Sequence, residues 1–195
     1  MAVPTIAEAV FARNVSSKKS IRTELAGKFV QLPERGLPEL ADFRVTLKNC
    51  LYASIVSAYA QGYDLIAQAS ASENWGVDLA EVTRIWEGGC IIRAEILGFL
   101  HTAFLSEPEN IPHLFAIPEV VETMEDSLND WHDAVSIMDK HGLAIPAIAS
   151  ALSYFEGMTD ARHPANYLQG LRDCFGAHLY ERTDREGSFH AEWDR

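Results

Sequence analysis

A chain of 195 residues, 48% of them hydrophobic, is long enough to bury a core without disulfide or metal staples. Its formal charge of −12, from 28 acids against 16 Lys and Arg, argues against a nucleic-acid partner, which needs clustered cations. No apolar run reaches the roughly 20 residues of a membrane span. The start, MAVPTIAEAVFARN, carries no basic leader followed by a long apolar stretch, so the cytoplasm is the expected setting.

In chain order, residues 4–13 and 18–28 predict short helices, and the turn-rich stretch Leu32 to Pro38 is the one plausible internal boundary. From Glu39 to about Trp75, apolar residues recur at steps of three or four: Leu40, Phe43, Leu47, Leu51, Ile55, Ala58, Gly62, Leu65 and Ala69. That spacing predicts one long helix or two in line. Its small residues, including Ala53, Ser57 and Ala60, would let another helix come close. Asp78 and Glu81 stand at capping-box spacing before a helix over 79–87. Gly88-Gly89 then breaks the chain, and an apolar helical pattern resumes from Cys90 to Phe104. Pro118, Pro146 and Pro164 fit first helical turns, predicting helices at 118–140, 146–157 and 164–175. With no useful period-two segment, the fold class is all-α. It is read as one helical domain over 1–195, with leading helices at 1–31, a main multi-helix bundle at 37–179 and a polar tail at 180–195. Phe189 and Trp193 in the tail look like docking anchors.

The chemistry-bearing residues are sparse. Cys50, Cys90 and Cys174 are odd in number and far apart, which suggests buried free thiols. The seven histidines are scattered without HExxH or ExxH spacing, so no metal is expected. No GxGxxG or GxxxxGK[ST] loop occurs, and a Rossmann-type dinucleotide site is not expected either. The acidic run Glu119, Glu122, Glu125, Asp126, Asp130 and Asp133 reads as a solvated helix face. Arg172 and His178 flank Phe175-Gly176; on an unbroken helix they would point about 240° apart. A helix end at Gly176 could turn both toward one anion, with arginine's planar fork suited to phosphate. A surface ion pair of Arg172 with Asp173 or Glu181 is the competing reading.

Several segments together resemble the C-terminal region of decarboxylating 6-phosphogluconate dehydrogenases. They are Glu8-Ala9-Val10-Phe11-Ala12-Arg13, Leu51-Tyr52-Ala53-Ser54 with Tyr59-Ala60-Gln61-Gly62, Trp86-Glu87-Gly88-Gly89-Cys90-Ile91-Ile92-Arg93, Ala151-Leu152-Ser153-Tyr154-Phe155, and Leu171-Arg172-Asp173-Cys174-Phe175-Gly176-Ala177-His178. The ending, residues 187–193, is also similar to that of bacterial members. The resemblance implies a homodimer and an NADP-dependent oxidation of 6-phosphogluconate, with decarboxylation to ribulose 5-phosphate, in the pentose phosphate pathway. It implies substrate-phosphate binding by Arg13, and contacts from Arg172 and His178 to the substrate of the neighbouring subunit. The family's Rossmann domain, its Lys general base and its Glu general acid would precede the residue matching Met1. No catalytic residue, NADP site or metal site is therefore assigned to this chain, and alone it is expected to be inactive. The alternative is a free-standing helical module that dimerises or binds a phosphosugar without catalysis.

Overall fold

The computed structural model describes residues 2–29, 40–106 and 111–193. Eight α-helices stand among them: α1 (Pro4–Ser17), α2 (Lys19–Ala26), α3 (Leu40–Glu73), α4 (Leu79–Glu87), α5 (Ile96–Ser106), α6 (Pro118–Lys140), α7 (Pro146–Thr159) and α8 (Ala165–Gly176). A 3-10 turn, Leu114–Ala116, precedes α6, and a two-stranded hairpin, β1 (Tyr180–Glu181) with β2 (Ser188–Phe189), follows α8. The fold is all-α, as its sequence predicts. The proposed boundary at Leu32 to Pro38 lies outside the described residues. The chain divides into two compact units, Met1–Phe155 and Glu156–Arg195.

The first unit is organised on α3, a rod about 51 Å long at 1.5 Å rise per residue. It packs along α6 through Cys50, Ala53, Val56 and Ala60 on one side and Val120, Met124 and Trp131 on the other, all at most 2% exposed. The small residues of α3 are what allow this approach, and the Ser57 hydroxyl donates to the Ala151 carbonyl of α7 at 3.1 Å. The periodic apolar residues that mark the helix do not all face the core: Leu47, Leu51 and Ile55 are 37%, 50% and 39% exposed. Alpha3 is apolar on more than one face, and a 3.6-residue period alone does not say which face meets α6.

Alpha4 begins where Asp78 Oδ1 accepts the Ala80 and Glu81 amides at 2.8 and 3.3 Å. Glu81 does not complete a capping box; its carboxylate binds Arg84 at 2.7 Å instead. Alpha4 and α5 pack together, and Tyr63 of α3 joins them, its ring 5.0 Å from Trp86 and 4.9 Å from Phe104. Tyr63 shares a 2.8 Å hydrogen bond with Thr83. Because Thr83 donates to the Leu79 carbonyl, Tyr63 is the donor.

The expected helix from Cys90 starts only at Ile96. Residues 90–95 turn instead: the Arg93 amide bonds the Cys90 carbonyl at 3.0 Å, and the Tyr59 hydroxyl donates to the Ile92 carbonyl. Ile91 is wholly exposed, so the apolar run there reports no buried face. Of the cysteines, only Cys50 is buried, its thiol pushed up to about 11 by desolvation against a hydrogen bond with Ser54; Cys90 is exposed and Cys174 half-buried. On α6, Glu119, Glu122, Glu125, Asp126 and Asp133 face solvent, while Asp130 turns to α3 and accepts from Thr46 and Asn49 at 3.1 and 2.6 Å.

Candidate functional site

Arg13 lies on the exposed side of α1, in the first unit. What fixes that helix is its opposite end. Gln61, fully buried in α3, accepts the Thr5 amide at 2.9 Å and donates to the Thr5 hydroxyl at 2.8 Å. Both ends of one side-chain amide are therefore satisfied by a single residue of α1. That double bond sets the rotation of α1 about its axis, and with it the direction in which Arg13 projects two turns later.

Arg172 and His178 lie in the second unit, both exposed, on either side of the end of α8. The helix does end at Gly176, but the left-handed residue is Ala177, with φ 50° and ψ 42°, and its amide bonds the Asp173 carbonyl at 2.8 Å. Leu179 is left-handed as well, at φ 64°. Non-glycine residues in this region cost roughly 1–2 kcal/mol each, so the turn that carries His178 needs outside support.

Glycine at 176 serves a different purpose from a left-handed cap. A Cβ built there would stand 3.0 Å from Cδ2 and 3.1 Å from Nε2 of His178, so the imidazole lies over a surface that only a bare backbone leaves open.

Asp173 supplies the support. Its side chain is 0% exposed, yet it is ionised: among the described residues, four N–H groups converge on its two oxygens. Oδ1 accepts from the Leu179 amide at 3.0 Å and from His190 Nδ1 at 2.8 Å, while Oδ2 accepts from the Ala191 amide at 3.0 Å and Trp193 Nε1 at 2.9 Å. Burial acts against the charge, but the Ala191 amide, His190 and the Trp193 indole outweigh it and hold the carboxyl well below its ordinary range. Asp173 is thus not the ion-pair partner of Arg172.

Gln169 closes the ring of contacts. Its Nε2 donates to the Leu179 carbonyl, and its Oε1 accepts from Arg172 Nη1 at 3.3 Å. The orientation of this amide is dictated by its neighbours, since a carbonyl only accepts and a guanidinium only donates. The tail expected to dock does so on α8 and on itself: Trp193 reaches Asp173, and the Phe189 ring lies 6.4 Å from Tyr180 with the Arg185 guanidinium 4.4 Å above it.

The family model for the 6-phosphogluconate dehydrogenase C-terminal domain matches residues 1–193. The chain belongs to that family. A decarboxylating 6-phosphogluconate dehydrogenase of Synechococcus elongatus is 40% identical over 196 residues, covering 99% of this chain and 41% of its own length. A chloroplastic relative from Oryza sativa subsp. japonica is 39% identical over 204 residues, covering 100% and 39%. A solved Plasmodium falciparum 6-phosphogluconate dehydrogenase is described in its apo form, in complex with its cofactor NADP+ and in complex with its substrate 6-phosphogluconate. It matches with a TM-score of 0.90 at 36% identity, over 98% of this chain and 41% of that one. The chain spans about two fifths of the length of these relatives.

Within this dehydrogenase C-terminal domain, the sequence drew attention to Arg172 and His178, offered Asp173 only as an ion-pair partner of Arg172, and passed over Gln169. Gln169 and Asp173 stand four apart, on one face of α8, a spacing that signals a shared task. Of the tail partners of Asp173, Trp193 stood out in the sequence as a docking anchor, while His190 and Ala191 gave no local signal. Among the described residues no group of three or more His, Cys, Asp or Glu side chains is arranged to hold a metal ion. No described helix is long and apolar enough to cross a membrane.

Proposed function

We propose that this chain is the C-terminal helical part of an NADP-dependent decarboxylating 6-phosphogluconate dehydrogenase, where it supplies the dimer core and contacts to the substrate phosphate. The supporting observation is a family match over residues 1–193 together with a whole-fold likeness at a TM-score of 0.90. The reaction is oxidation of 6-phosphogluconate at C3 and loss of CO2 to give ribulose 5-phosphate. NADP supplies the hydride acceptor in the complete enzyme. This chain's residues are assigned no contact to it.

Arg13 is assigned to the phosphate, and Arg172 with His178 to the substrate held by the partner subunit. Guanidinium groups suit the task because their planar forks offer paired N–H donors to a dianion and stay charged at any working pH. They bind and orient; they take no proton from the 3-hydroxyl. The exposed apolar face of α3, with Val45, Leu47, Leu51, Tyr52 and Ile55, is assigned to the dimer interface. The cytoplasm is the assigned compartment.

The proposal is tested by assaying the purified 195-residue chain with 6-phosphogluconate and NADP. No NADPH should form. Reproducible NADPH formation, free of host enzyme, contradicts the assignment of the catalytic groups to another part of the protein. Light scattering at micromolar concentration should return a dimer mass; a clean monomer contradicts the assigned role of α3.

A further inference from the structure

We propose that Gln169 and Asp173 are positioning residues, which clamp the Leu179 peptide from its two ends and so hold His178 in one pose beside Arg172. The inference rests on the reading of Arg172 and His178 as substrate contacts and names what makes them a pair.

The Leu179 peptide is gripped at both its polar groups. Its amide donates to Asp173 Oδ1 at 3.0 Å, and its carbonyl accepts from Gln169 Nε2. Two left-handed residues, Ala177 and Leu179, bracket His178, so without that grip the segment relaxes toward commoner backbone conformations and carries the imidazole away. Gln169 acts on both members of the pair, because its Oε1 also accepts from Arg172. Gly176 leaves the surface on which the His178 ring rests. Asp173 extends the grip to the tail through His190, Ala191 and Trp193, so the tail is part of what holds the pose.

Charge and acceptor count make Asp173 hard to replace. Asparagine fills the same space but has one oxygen; whichever way its amide is turned, an NH2 group faces two of the N–H donors that now point at a carboxylate oxygen. Gln169 is half-buried on the helix surface, so alanine there removes both hydrogen bonds while suiting the helix.

The test is NMR of the 195-residue chain carrying Gln169→Ala, Asp173→Asn or Gly176→Ala. Gln169→Ala and Asp173→Asn should each move the His178 ring signals and speed exchange of the Leu179 amide about tenfold or more. Gly176→Ala should move the ring signals and leave the Leu179 amide protected. Both polar variants should also weaken 6-phosphogluconate binding about tenfold, with Arg172 and His178 intact. Should Asp173→Asn unfold the tail, Gln169→Ala decides. His178 ring signals and Leu179 exchange that superpose on the wild type in Gln169→Ala overturn the proposal. Arg172→Ala and His178→Ala binding 6-phosphogluconate as the wild type does would defeat the substrate assignment instead, and the ring signals still decide whether the clamp exists.

Discussion

At the scale of single residues, buried polar groups carry the most checkable consequences. Gln61 is wholly enclosed and both ends of its amide are used by Thr5. Gln61→Ala strands the Thr5 amide, and it should cost roughly 1–3 kcal/mol in urea unfolding while loosening α1. His113 is a second case. Its Nδ1 accepts the Phe115 amide at 3.2 Å, so the neutral ring carries its proton on Nε2 and donates it to Tyr154 at 3.0 Å. Burial lowers the His113 pKa from its ordinary 6.5, against a weaker pull from Asp64. A value depressed by folding means that the contribution is complete above about pH 6.5 and is lost as pH falls below it. A His113→Gln variant should flatten that part of the stability profile. Asp173 has the same sign on a lower scale: its contribution holds above its ordinary 3.8 and fades as pH falls below it. The Trp193 indole proton signal of the folded chain should stay put as pH falls through the ordinary carboxylate range, because the folded carboxyl keeps its charge there; a signal that titrates near 3.8 would contradict the shift. Arg172 and His178 were visible in the sequence as chemistry, but the clamp under them was not, because Asp173 draws its partners from residues 179–193 across a hairpin that no periodicity announces.

At the scale of elements, capping and proline positions read well and faces read poorly. Asp78, Pro118 and Pro146 mark helix starts through local backbone chemistry, and the structure begins α4, α6 and α7 at those points. Alpha3 shows why faces fail. Which of its apolar stripes meets α6 is settled by volume: the side with Ala53, Ser57 and Ala60 admits a neighbouring helix, and the side with Leu51 and Ile55 is left outside. Ala60→Leu should therefore cost about 1–3 kcal/mol by overpacking. Leu51→Glu should shift the scattering mass from dimer toward monomer and lower the unfolding midpoint at concentrations where the wild type is dimeric, the difference shrinking on dilution.

At the scale of the whole molecule, the all-α class followed from spacing, capping and proline positions, while membership of the dehydrogenase C-terminal domain family came from segments scattered from Glu8 to His178 and from the match over residues 1–193. Composition set a useful boundary, since a chain at −12 that binds a phosphorylated acid must do so with a few local cations. That is the claim most open to a direct test. Calorimetric titration should compare 6-phosphogluconate with gluconate, which has the same carbon chain and no phosphate, on the wild-type chain and on Arg13→Ala and Arg172→Ala. 6-Phosphogluconate should bind more tightly than gluconate, and each arginine variant should erase most of this preference. Equal affinity for the two acids, or a preference untouched by both substitutions, would contradict that claim.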